Sequence, residues 1–326
     1  MRKMNDLSQS GAEIAVLGGD GFLGTHLVNA LLSQGARLRV YGRNPRERYR
    51  NGTVVAVRGN FADGSALEEA VDGASLVYHL VSSTIPSTSN ADPIADVQSN
   101  LIGSLHLLET MKRCGVNRIV YASSGGTVYG NPRNLPVAED HSLDPLCSYG
   151  IVKVAVEKYL NMFSCVDGMT ATVLRLSNPY GPLQRAHGAQ GVISVFAHKI
   201  LAGQNIEVWG DGTTVRDYIY IDDVVDAMLR AAHATHSGVY NIGSGVGHSL
   251  NRILEILADV IGKKVNVRYL PKRSFDVREI VLDVRRARAE LGWQPETSLE
   301  EGIRRYCSTV ADQIQTAVRL ANAPIA

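Results

Sequence analysis

The chain has 326 residues but only four cysteines, and it lacks the marks of several common protein classes. Cys114, Cys147, Cys165 and Cys307 show no CxxC spacing and no clustered histidines, which argues against a zinc site or a disulfide framework. Reduced thiols in a cytoplasmic protein fit this pattern best. No apolar run approaches the roughly 20 residues of a membrane span, and the polar start of the chain does not resemble a secretory signal.

An excess of charge of one sign is also missing. Lys and Arg number 33 and Asp and Glu number 32, so the net charge is +1. A nearly neutral chain lacks the electrostatic footprint of a protein that binds nucleic acid or membrane surfaces non-specifically. The 45% hydrophobic and 20% charged residues are typical of a globular protein. We therefore expect a small-molecule site.

Short β-branched runs alternate with helical patterns in the first part of the chain, which is typical of βαβ units. The predicted strands are Glu13 to Leu17, Arg37 to Tyr41, Thr53 to Val57, Ser75 to Leu80, Arg118 to Ala122 and Ala171 to Leu176. The predicted helices are Phe22 to Ser33, Ser65 to Val71, Val97 to Cys114 and Tyr149 to Phe163. The pattern predicts an α/β fold with a Rossmann-type doubly wound parallel sheet.

After Pro179 the chain becomes punctuated by glycine and proline. Helices are predicted at Ile193 to Leu201, Asp223 to His233, Leu250 to Ile261 with Ser249 as cap, Arg285 to Leu291 and Leu299 to Ile314, and strands at Ile206 to Trp209 and Tyr218 to Ile221. We expect a dinucleotide-binding domain over residues 1–176, with segments returning to it from about 215–245. A smaller α/β C-terminal substrate domain is expected mainly over residues 177–326.

A glycine-rich turn follows the first strand directly, with the sequence Gly18-Gly19-Asp20-Gly21-Phe22-Leu23-Gly24. Missing Cβ atoms permit tight turning and close backbone approach, and the helix that follows offers free N–H groups to a pyrophosphate. A tight turn without a ligand is the alternative, but the position between first strand and first helix favours a dinucleotide site. Gly18, Gly21, Phe22, Leu23 and Gly24 are the candidate contacts.

The end of the second strand carries Tyr41-Gly42-Arg43 and no acidic residue. An acid at this place would accept hydrogen bonds from the ribose hydroxyls of NAD. Arg43 could instead accompany a 2′-phosphate, lie over the adenine, or be a solvated arginine at a strand end. The charge argument therefore leaves NADP open beside NAD.

Tyr149 and Lys153 are four residues apart on a predicted helix, so both side chains project from one face. A phenol with a pKa near 10 is a poor base at neutral pH, but a neighbouring ammonium and an oxidised nicotinamide favour the phenolate. The spacing alone also arises by chance. A second feature, Ser123-Ser124-Gly125-Gly126-Thr127, follows the fifth strand and offers hydroxyls that could orient a reacting oxygen or serve only as strand-end hydrogen-bonding groups.

These motifs, in this order, resemble the extended short-chain dehydrogenase/reductase superfamily and its NAD-dependent epimerase/dehydratase family, most of all the UDP-glucose 4-epimerase group. The likeness covers nearly the whole chain. It includes Tyr78-His79-Leu80, Asn100, Ser177-Asn178-Pro179-Tyr180-Gly181-Pro182, Val208-Trp209-Gly210-Asp211-Gly212, Arg216-Asp217-Tyr218-Ile219-Tyr220, Tyr240-Asn241-Ile242-Gly243 and Leu291-Gly292-Trp293-Gln294-Pro295.

The resemblance implies a UDP-sugar 4-epimerase with bound NAD, in which Tyr149 is the acid/base of a transient oxidation at the sugar C4 and Lys153 also holds the nicotinamide ribose. It places Asn60 and Phe61 beside the adenine and Leu80, Val81, Ser82 and Asn100 along the cofactor cleft. The serine of many relatives falls on Gly125 here. Ser124 is therefore the candidate catalytic hydroxyl, and Thr127 is the reserve.

For the substrate, the resemblance implies that the nucleotide diphosphate and its ribose meet Asn178, Arg216, Arg273 and Asp276, the uracil Val192, Val208 and Trp209, and the sugar side Gln190 and Gly191. Arginine suits phosphate because its planar fork donates two hydrogen bonds. The structural alternative makes Trp209 a core residue and pairs Arg216 with Asp217. No acid stands at Gly125-Gly126, where sugar dehydratases and decarboxylating relatives carry acidic groups.

Three functions remain open at this point: a UDP-sugar 4-epimerase, an NADP-dependent sugar-nucleotide reductase, and a non-catalytic regulator that senses a dinucleotide. The intact Tyr149 and Lys153 argue against the regulator. Ile280, at a position that faces the sugar in relatives, leaves glucose, N-acetylglucosamine and uronic-acid substrates open. The resemblance also implies a homodimer that packs through helices 97–114 and 149–163, and a product for surface polysaccharide or galactose metabolism.

Overall fold

The computed structural model describes residues 13–45, 53–184, 191–271 and 277–321. The first half of the chain alternates strands and helices, as the sequence predicts. The strands are β1 (Glu13–Leu17), β2 (Arg37–Gly42), β3 (Val54–Arg58), β4 (Ala74–His79), β5 (Arg118–Ser124) and β6 (Thr170–Leu176). The helices are α1 (Phe22–Ser33), α2 (Leu67–Val71), α3 (Pro93–Asp96), α4 (Gly103–Arg113) and α5 (Ser148–Asp167).

In the described part of the second half, seven more strands, most of them short, alternate with five more helices. The strands are β7 (Asn178–Tyr180), β8 (Ile206–Trp209), β9 (Val215–Tyr220), β10 (Gly238–Ile242), β11 (Gly247–Ser249), β12 (Val267–Leu270) and β13 (Glu279–Ile280). The helices are α6 (Val192–Leu201), α7 (Ile221–Ala231), α8 (Leu250–Ile261), α9 (Arg285–Glu290) and α10 (Leu299–Ala321). Ser249 caps α8 as predicted, since its Oγ accepts a hydrogen bond from the Arg252 N–H at 3.1 Å.

Seven parallel strands form the main sheet in the order β10-β6-β5-β4-β1-β2-β3. The order reverses direction between β1 and β4, and in doubly wound sheets ligands bind at such a switch point, outside the carboxyl ends of the strands. The predicted α/β fold with a Rossmann-type sheet is confirmed. The remaining strands form two small sheets, one in the order β11-β9-β13 with β7 beside β9, and one of β8 with β12.

Apolar side chains bury both faces of the main sheet. Ile14 and Val16 point to the face covered by α1, where Leu27 and Leu31 are buried. Ala15 and Leu17 point to the opposite face, which α2, α4 and α5 cover. Strands buried on both faces read as continuous apolar runs, which is why β1 and β6 were recognisable in the sequence.

The outermost strand of the main sheet, β10, comes from the second half of the chain and was not predicted as a strand. It pairs with β6 over its full length, from Gly238 opposite Thr172 to Ile242 opposite Leu176. Glycine and asparagine are poor strand formers, so GVYNI reads as a loop until its partners are known. The fully buried Asn241 is tolerated there because its Nδ2 donates to the Val137 and Asp283 carbonyls and its Oδ1 accepts from Tyr129.

The helix predicted at Val97 to Cys114 is an irregular helix in the structure. It begins with α3, whose first turn Asp92 caps through the Ala95 N–H, continues as a π-helical turn over Val97–Ile102, and becomes regular in α4. π-helical turns are rare and occur often at functional sites. The apolar periodicity of the segment does not reveal this turn, because its cause lies in tertiary hydrogen bonds. Among the described residues, no helix has the length and apolar character needed to cross a membrane.

Candidate active site

The glycine-rich turn lies where β1 ends and α1 begins, against the end of β4. Gly18 has φ +85°, and a Cβ on it would lie 3.1 Å from the Leu80 carbonyl carbon and the Val81 nitrogen. A Cβ on Gly24 would lie 2.2 Å from the Gly18 carbonyl oxygen. Both contacts are with backbone, so no side-chain movement could relieve them. The glycines are thus required for this close packing.

The N-terminus of α1 has the properties of an anion site. Its N-cap residue Gly21 offers no side-chain hydrogen bond to the first turn, and that turn contains no acidic residue. The first N–H groups and the positive end of the helix dipole are therefore available to an anionic group. The turn fits the pyrophosphate of a dinucleotide.

The other predicted cofactor residues follow neighbouring strands at the same edge of the sheet. Arg43 is exposed directly after β2, and Asn60 is exposed in a turn after β3, where it hydrogen-bonds Asp63. Phe61 is buried, with its ring 5.1 Å from that of His79. Leu80, Val81 and Ser82 come directly after β4, and Asn100 is buried in the π-helical turn.

Ser124, Tyr149 and Lys153 are brought together above β5. Ser124 is the last residue of β5, and its hydroxyl interacts with the Tyr149 phenol and lowers the pKa of that phenol. Lys153 lies one helical turn beyond Tyr149 on α5 and donates from Nζ to the Ala122 carbonyl at 2.7 Å. The same Nζ lies 5.5 Å from the centre of the Tyr149 ring. The three candidate catalytic side chains therefore form one cluster.

Burial shifts the pKa values of Tyr149 and Lys153 in opposite directions. It raises the pKa of the Tyr149 phenol to about 12, and the hydrogen bond with Ser124 offsets part of this rise. Burial lowers the pKa of Lys153 to about 8, while the negative charges of Glu157 and Asp96 act against that decrease. At neutral pH the lysine is still mostly charged, so it favours the phenolate form of Tyr149.

The position taken by a serine in many relatives is Gly125, and the structure explains the difference. A Cβ on Gly125 would lie 2.5 Å from Leu282 Cδ1 and 3.0 Å from the Arg175 carbonyl oxygen. A serine there would require Leu282 to move. A Cβ on Gly126 would meet nothing within 4 Å, so space is open beside the cluster. The Thr127 hydroxyl is buried and has no hydrogen-bond partner in the described part of the chain.

The predicted substrate residues come from β7, β8, β9 and the start of α6. Asn178 donates from Nδ2 to the Asp217 carbonyl at 2.8 Å, and Arg216 lies half-buried on β9. Val208 is packed in the core, whereas Trp209 is 43% exposed, so the core interpretation of Trp209 is wrong. Gly191, the N-cap of α6, and half-buried Val192 start that helix. The predicted residues Gln190, Arg273 and Asp276 lie outside the described residues.

A buried ion pair beside the cluster was missed by the sequence analysis. Arg175 on β6 donates from Nη2 to Glu157 Oε2 at 2.7 Å, and both side chains are only 5% exposed. The Ser123 hydroxyl donates to the same carboxylate, and Arg175 Nη1 donates to the Tyr129 hydroxyl at 2.9 Å. The available signal was an arginine inside an otherwise apolar buried strand, since arginine is almost never fully buried unless paired.

The chain matches the model of the NAD dependent epimerase/dehydratase family over residues 14–243. The protein belongs to this family. The family identification confirms the predicted resemblance and agrees with the NAD site expected from the glycine-rich turn. Within the described residues, no group of three or more His, Cys, Asp or Glu side chains is arranged to hold a metal ion.

Three similar proteins cover between 72% and 93% of this chain. A UDP-glucose 4-epimerase of Mycolicibacterium smegmatis is 34% identical over 299 residues, which cover 88% of this chain and 95% of the relative. A dTDP-4-dehydro-6-deoxyglucose reductase of Escherichia coli is 36% identical over 235 residues, covering 72% and 74%. The structure of a Thermotoga maritima UDP-glucose 4-epimerase with UDP-glucose superimposes with a TM-score of 0.88 at 34% identity, covering 93% and 99%.

Proposed function

We propose that this family member is an NAD-dependent UDP-sugar 4-epimerase. The observation that carries the proposal is the Ser124, Tyr149 and Lys153 cluster at the carboxyl edge of the sheet, close to a turn that fits a dinucleotide pyrophosphate. The similarity to two UDP-glucose 4-epimerases supports the same reaction. The proposed reaction needs no nucleophilic side chain, because Tyr149 can serve as the acid/base and Ser124 can orient the reacting oxygen.

In the proposed reaction, Tyr149 takes the proton of the sugar 4-hydroxyl and later returns it. Bound NAD supplies the hydride acceptor and donor at the sugar C4. Ser124 hydrogen-bonds the reacting oxygen and holds it toward the Tyr149 phenol. Turning the 4-keto sugar between the two proton transfers presents its other face, so the configuration at C4 is inverted without net oxidation.

Lys153 has an electrostatic part in this proposal. Its ammonium carries the charge that a buried phenolate needs, since an isolated anion in this environment is disfavoured by desolvation. The lysine also holds its own position, because Nζ donates to the Ala122 carbonyl on β5. The same ammonium would reach the nicotinamide ribose.

The proposed substrate contacts are Asn178, Gly191, Val192, Val208, Trp209 and Arg216, with Gln190, Arg273 and Asp276 as further predictions outside the described residues. The exposed Trp209 supports a stacking role beside the uracil. The buried Val208 side chain would form the floor of the same uracil site. Glycine at 125 and 126 provides no acid for eliminating water, which supports epimerisation over dehydration.

A sugar-nucleotide reductase is the second candidate. The Escherichia coli relative is a dTDP-4-dehydro-6-deoxyglucose reductase, and its identity to this chain is slightly higher than that of the Mycolicibacterium smegmatis epimerase. Arg43 after β2, where NAD-binding relatives carry an acid, also suits a cofactor with a 2′-phosphate. A reductase would consume its reduced cofactor stoichiometrically, whereas an epimerase recycles it.

Incubating the purified protein with UDP-glucose, UDP-N-acetylglucosamine or UDP-glucuronate tests the proposal. We expect at least one of them to be converted to its 4-epimer without added reductant, with no net change in absorbance at the wavelength of reduced nicotinamide. Products are identified by NMR, and the cofactor released by denaturation is weighed by mass spectrometry. Net accumulation of reduced cofactor, loss of water, or turnover of a 4-keto sugar only with reductant would contradict the epimerase.

We also propose a homodimer that packs through the helical segments 97–114 and 149–163, which include α4 and most of α5. Apolar side chains are exposed along one face of α5, at Ile151, Tyr159, Met162 and Val166, and nearby at Ile94, Val97 and Ile102. An apolar stripe of this kind on a soluble monomer would be unfavourable, and a twofold axis would bury it. Light scattering should give twice the chain mass of 35.3 kDa. A Met162→Lys variant should shift the mass toward the monomer, and an unchanged mass would contradict this interface.

The domain organisation, compartment and pathway complete the proposal. We place the cofactor domain at residues 1–176 and the substrate domain mainly at 177–326, and the pairing of β10 with β6 supports a segment that returns near 215–245. Free thiols at all four cysteines support the cytoplasm. A UDP-sugar product would serve as a glycosyl donor, for example in surface polysaccharide synthesis.

A further inference from the structure

Asp96 is a buried carboxylate, fully inaccessible to solvent, at the end of α3. It accepts three side-chain hydrogen bonds. Thr84 Oγ1 and Asn100 Nδ2 donate to Oδ1 at 2.6 and 2.7 Å, and Ser148 Oγ donates to Oδ2 at 2.6 Å. All three donors are neutral groups, so these bonds satisfy the carboxylate without cancelling its charge.

The three donors belong to three different segments around the proposed active site. Thr84 lies in the loop after β4, Asn100 lies in the π-helical turn, and Ser148 is the first residue of α5. The Asn100 amide is held in turn, because its Oδ1 accepts from the Ser83 N–H at 2.8 Å. The Ser148 N–H donates to Asn90 Oδ1 at 2.8 Å. These bonds join the loop after β4 to the residue that directly precedes Tyr149.

We propose that Asp96 is a positioning residue for the proton transfer: its carboxylate fixes the first turn of α5 against the loop after β4 and thereby holds the Tyr149 phenol against Ser124. The inference rests on the proposed function to the extent that Tyr149 is the acid/base. Asp96 touches neither Tyr149 nor Ser124 in these hydrogen bonds and acts through Ser148. The π-helical turn has a role here, since it brings Asn100 onto the same carboxylate.

The charge of Asp96 adds a second effect. The groups that face Tyr149 and Lys153 are Ser124 and Tyr121 on β5, His79 on β4, Cys147 before α5, Glu157 on α5, and Asp96. Glu157 is paired with the cation of Arg175, whereas Asp96 accepts hydrogen bonds from neutral groups. The negative charge of Asp96 raises the pKa of Tyr149 and the pKa of Lys153. Removing that charge should lower both.

The test is the variant Asp96→Asn, with Asp92→Asn as the matched control. Asp92 is the exposed N-cap residue of the same helix, and asparagine can also accept the capping hydrogen bond, so the control makes the same chemical change at a solvent-exposed position. We expect Asp96→Asn to lower kcat between about tenfold and a hundredfold, because small displacements of a catalytic group have effects of this size. The KM for the sugar nucleotide should change little, because the hydrogen-bond partners of Asp96 are Thr84, Asn100 and Ser148, none of which is a proposed substrate contact. Asp92→Asn should behave as the wild type.

The pH profile of kcat separates positioning from a purely structural role. The positive charge of a bound oxidised nicotinamide would lower the pKa of Tyr149, so loss of the Tyr149 proton should give the acidic limb and loss of the Lys153 proton the alkaline limb. Because both pKa values fall when the negative charge is removed, both limbs should move to lower pH in Asp96→Asn. Ser148→Ala breaks one link but keeps the carboxylate, so it should lower kcat and leave both limbs in place. If both limbs of the pH profile stay at their wild-type positions in Asp96→Asn, the proposed electrostatic effect of Asp96 is overturned.

Hydrogen exchange provides a readout that needs no turnover. Backbone amides in residues 83–90 and 147–151 should exchange faster in Asp96→Asn than in Asp92→Asn. A failure of the proposed reaction would appear in the wild type, whereas a failure of the Asp96 inference would appear as unchanged exchange in the variant. If Asp96→Asn does not fold, Ser148→Ala decides. Wild-type kcat together with wild-type exchange in Ser148→Ala would overturn the inference.

Discussion

Replacing Tyr149 with phenylalanine should lower the rate of UDP-sugar interconversion by about 10²- to 10⁴-fold, the usual contribution of a general acid/base. The change removes one oxygen atom from a ring whose centre lies 5.5 Å from Lys153 Nζ and whose phenol interacts with Ser124 and Tyr121. Without it, no described group of the cluster is placed to receive the proton of the sugar hydroxyl. The ring and its packing on α5 remain, so the fold and NAD binding should be preserved.

Tyr159→Phe is the matched control for this prediction. Tyr159 lies on the same helix but is 36% exposed on the face away from the sheet. Initial rates of epimer formation, thermal unfolding and bound NAD should be measured for both variants. We expect only Tyr149→Phe to lose activity, with unfolding and cofactor content like those of the wild type. Activity of Tyr149→Phe close to that of Tyr159→Phe would rule out the proposed acid/base.

The parts of the site that could be predicted from sequence are those set by local spacing. Tyr149 and Lys153 face the same way because they are one helical turn apart, and the glycines are recognisable because they fall between a strand and a helix. Ser124 was proposed from the family resemblance, and the structure places it as the last residue of β5. In each case the position relative to a regular element determines the direction of the side chain.

The missed parts depend on residues that are distant in sequence. Asp96 meets Ser148 across 52 positions, and Tyr129 meets Asn241 across 112. Leu282 lies against Gly125 and leaves no room there for the serine that many relatives carry. This contact also joins residues from the two halves of the chain. Polar residues in such contacts have no periodic pattern. A buried polar residue can be suspected in a sequence, but its partner is determined only by the fold.

These contacts give the site its electrostatic character. Burial weakens the charge on Lys153, and the negative charges of Glu157 on α5 and Asp96 on α3 offset part of this effect. The charge of Asp96 also raises the pKa of Tyr149, so it acts in the same direction as burial on that phenol. The ion pair of Glu157 with Arg175 links α5 to β6. The fraction of Lys153 that is protonated at neutral pH therefore depends on the surrounding fold, and on Glu157 in particular.

Replacing Arg175 with methionine should lower the free energy of unfolding by about 3 to 5 kcal/mol, the usual cost of breaking a buried ion pair by removing one partner. Methionine fills most of the volume of the arginine stem but leaves the Glu157 carboxylate buried with the Ser123 hydroxyl as its remaining donor among the described contacts. Total stabilities are commonly about 5 to 15 kcal/mol, so the loss should be large enough to measure. Urea unfolding followed by circular dichroism gives the change as a lower midpoint.

The double variant Arg175→Met with Glu157→Met distinguishes the cost of an unpaired charge from a loss of packing. If the unpaired Glu157 carboxylate causes the loss of stability, the second substitution should restore a large part of it. Apolar side chains of similar volume can replace a buried ion pair at little cost. Arg304→Met serves as the control, since its pair with Glu301 is exposed and exposed pairs contribute little. A double variant as unstable as the single one would show that Arg175 acts mainly through its bonds to Tyr129 and the Glu139 carbonyl. Recovery of stability without recovery of activity would instead indicate that Glu157 is needed beside Lys153 for catalysis, in agreement with its effect on the pKa of that lysine.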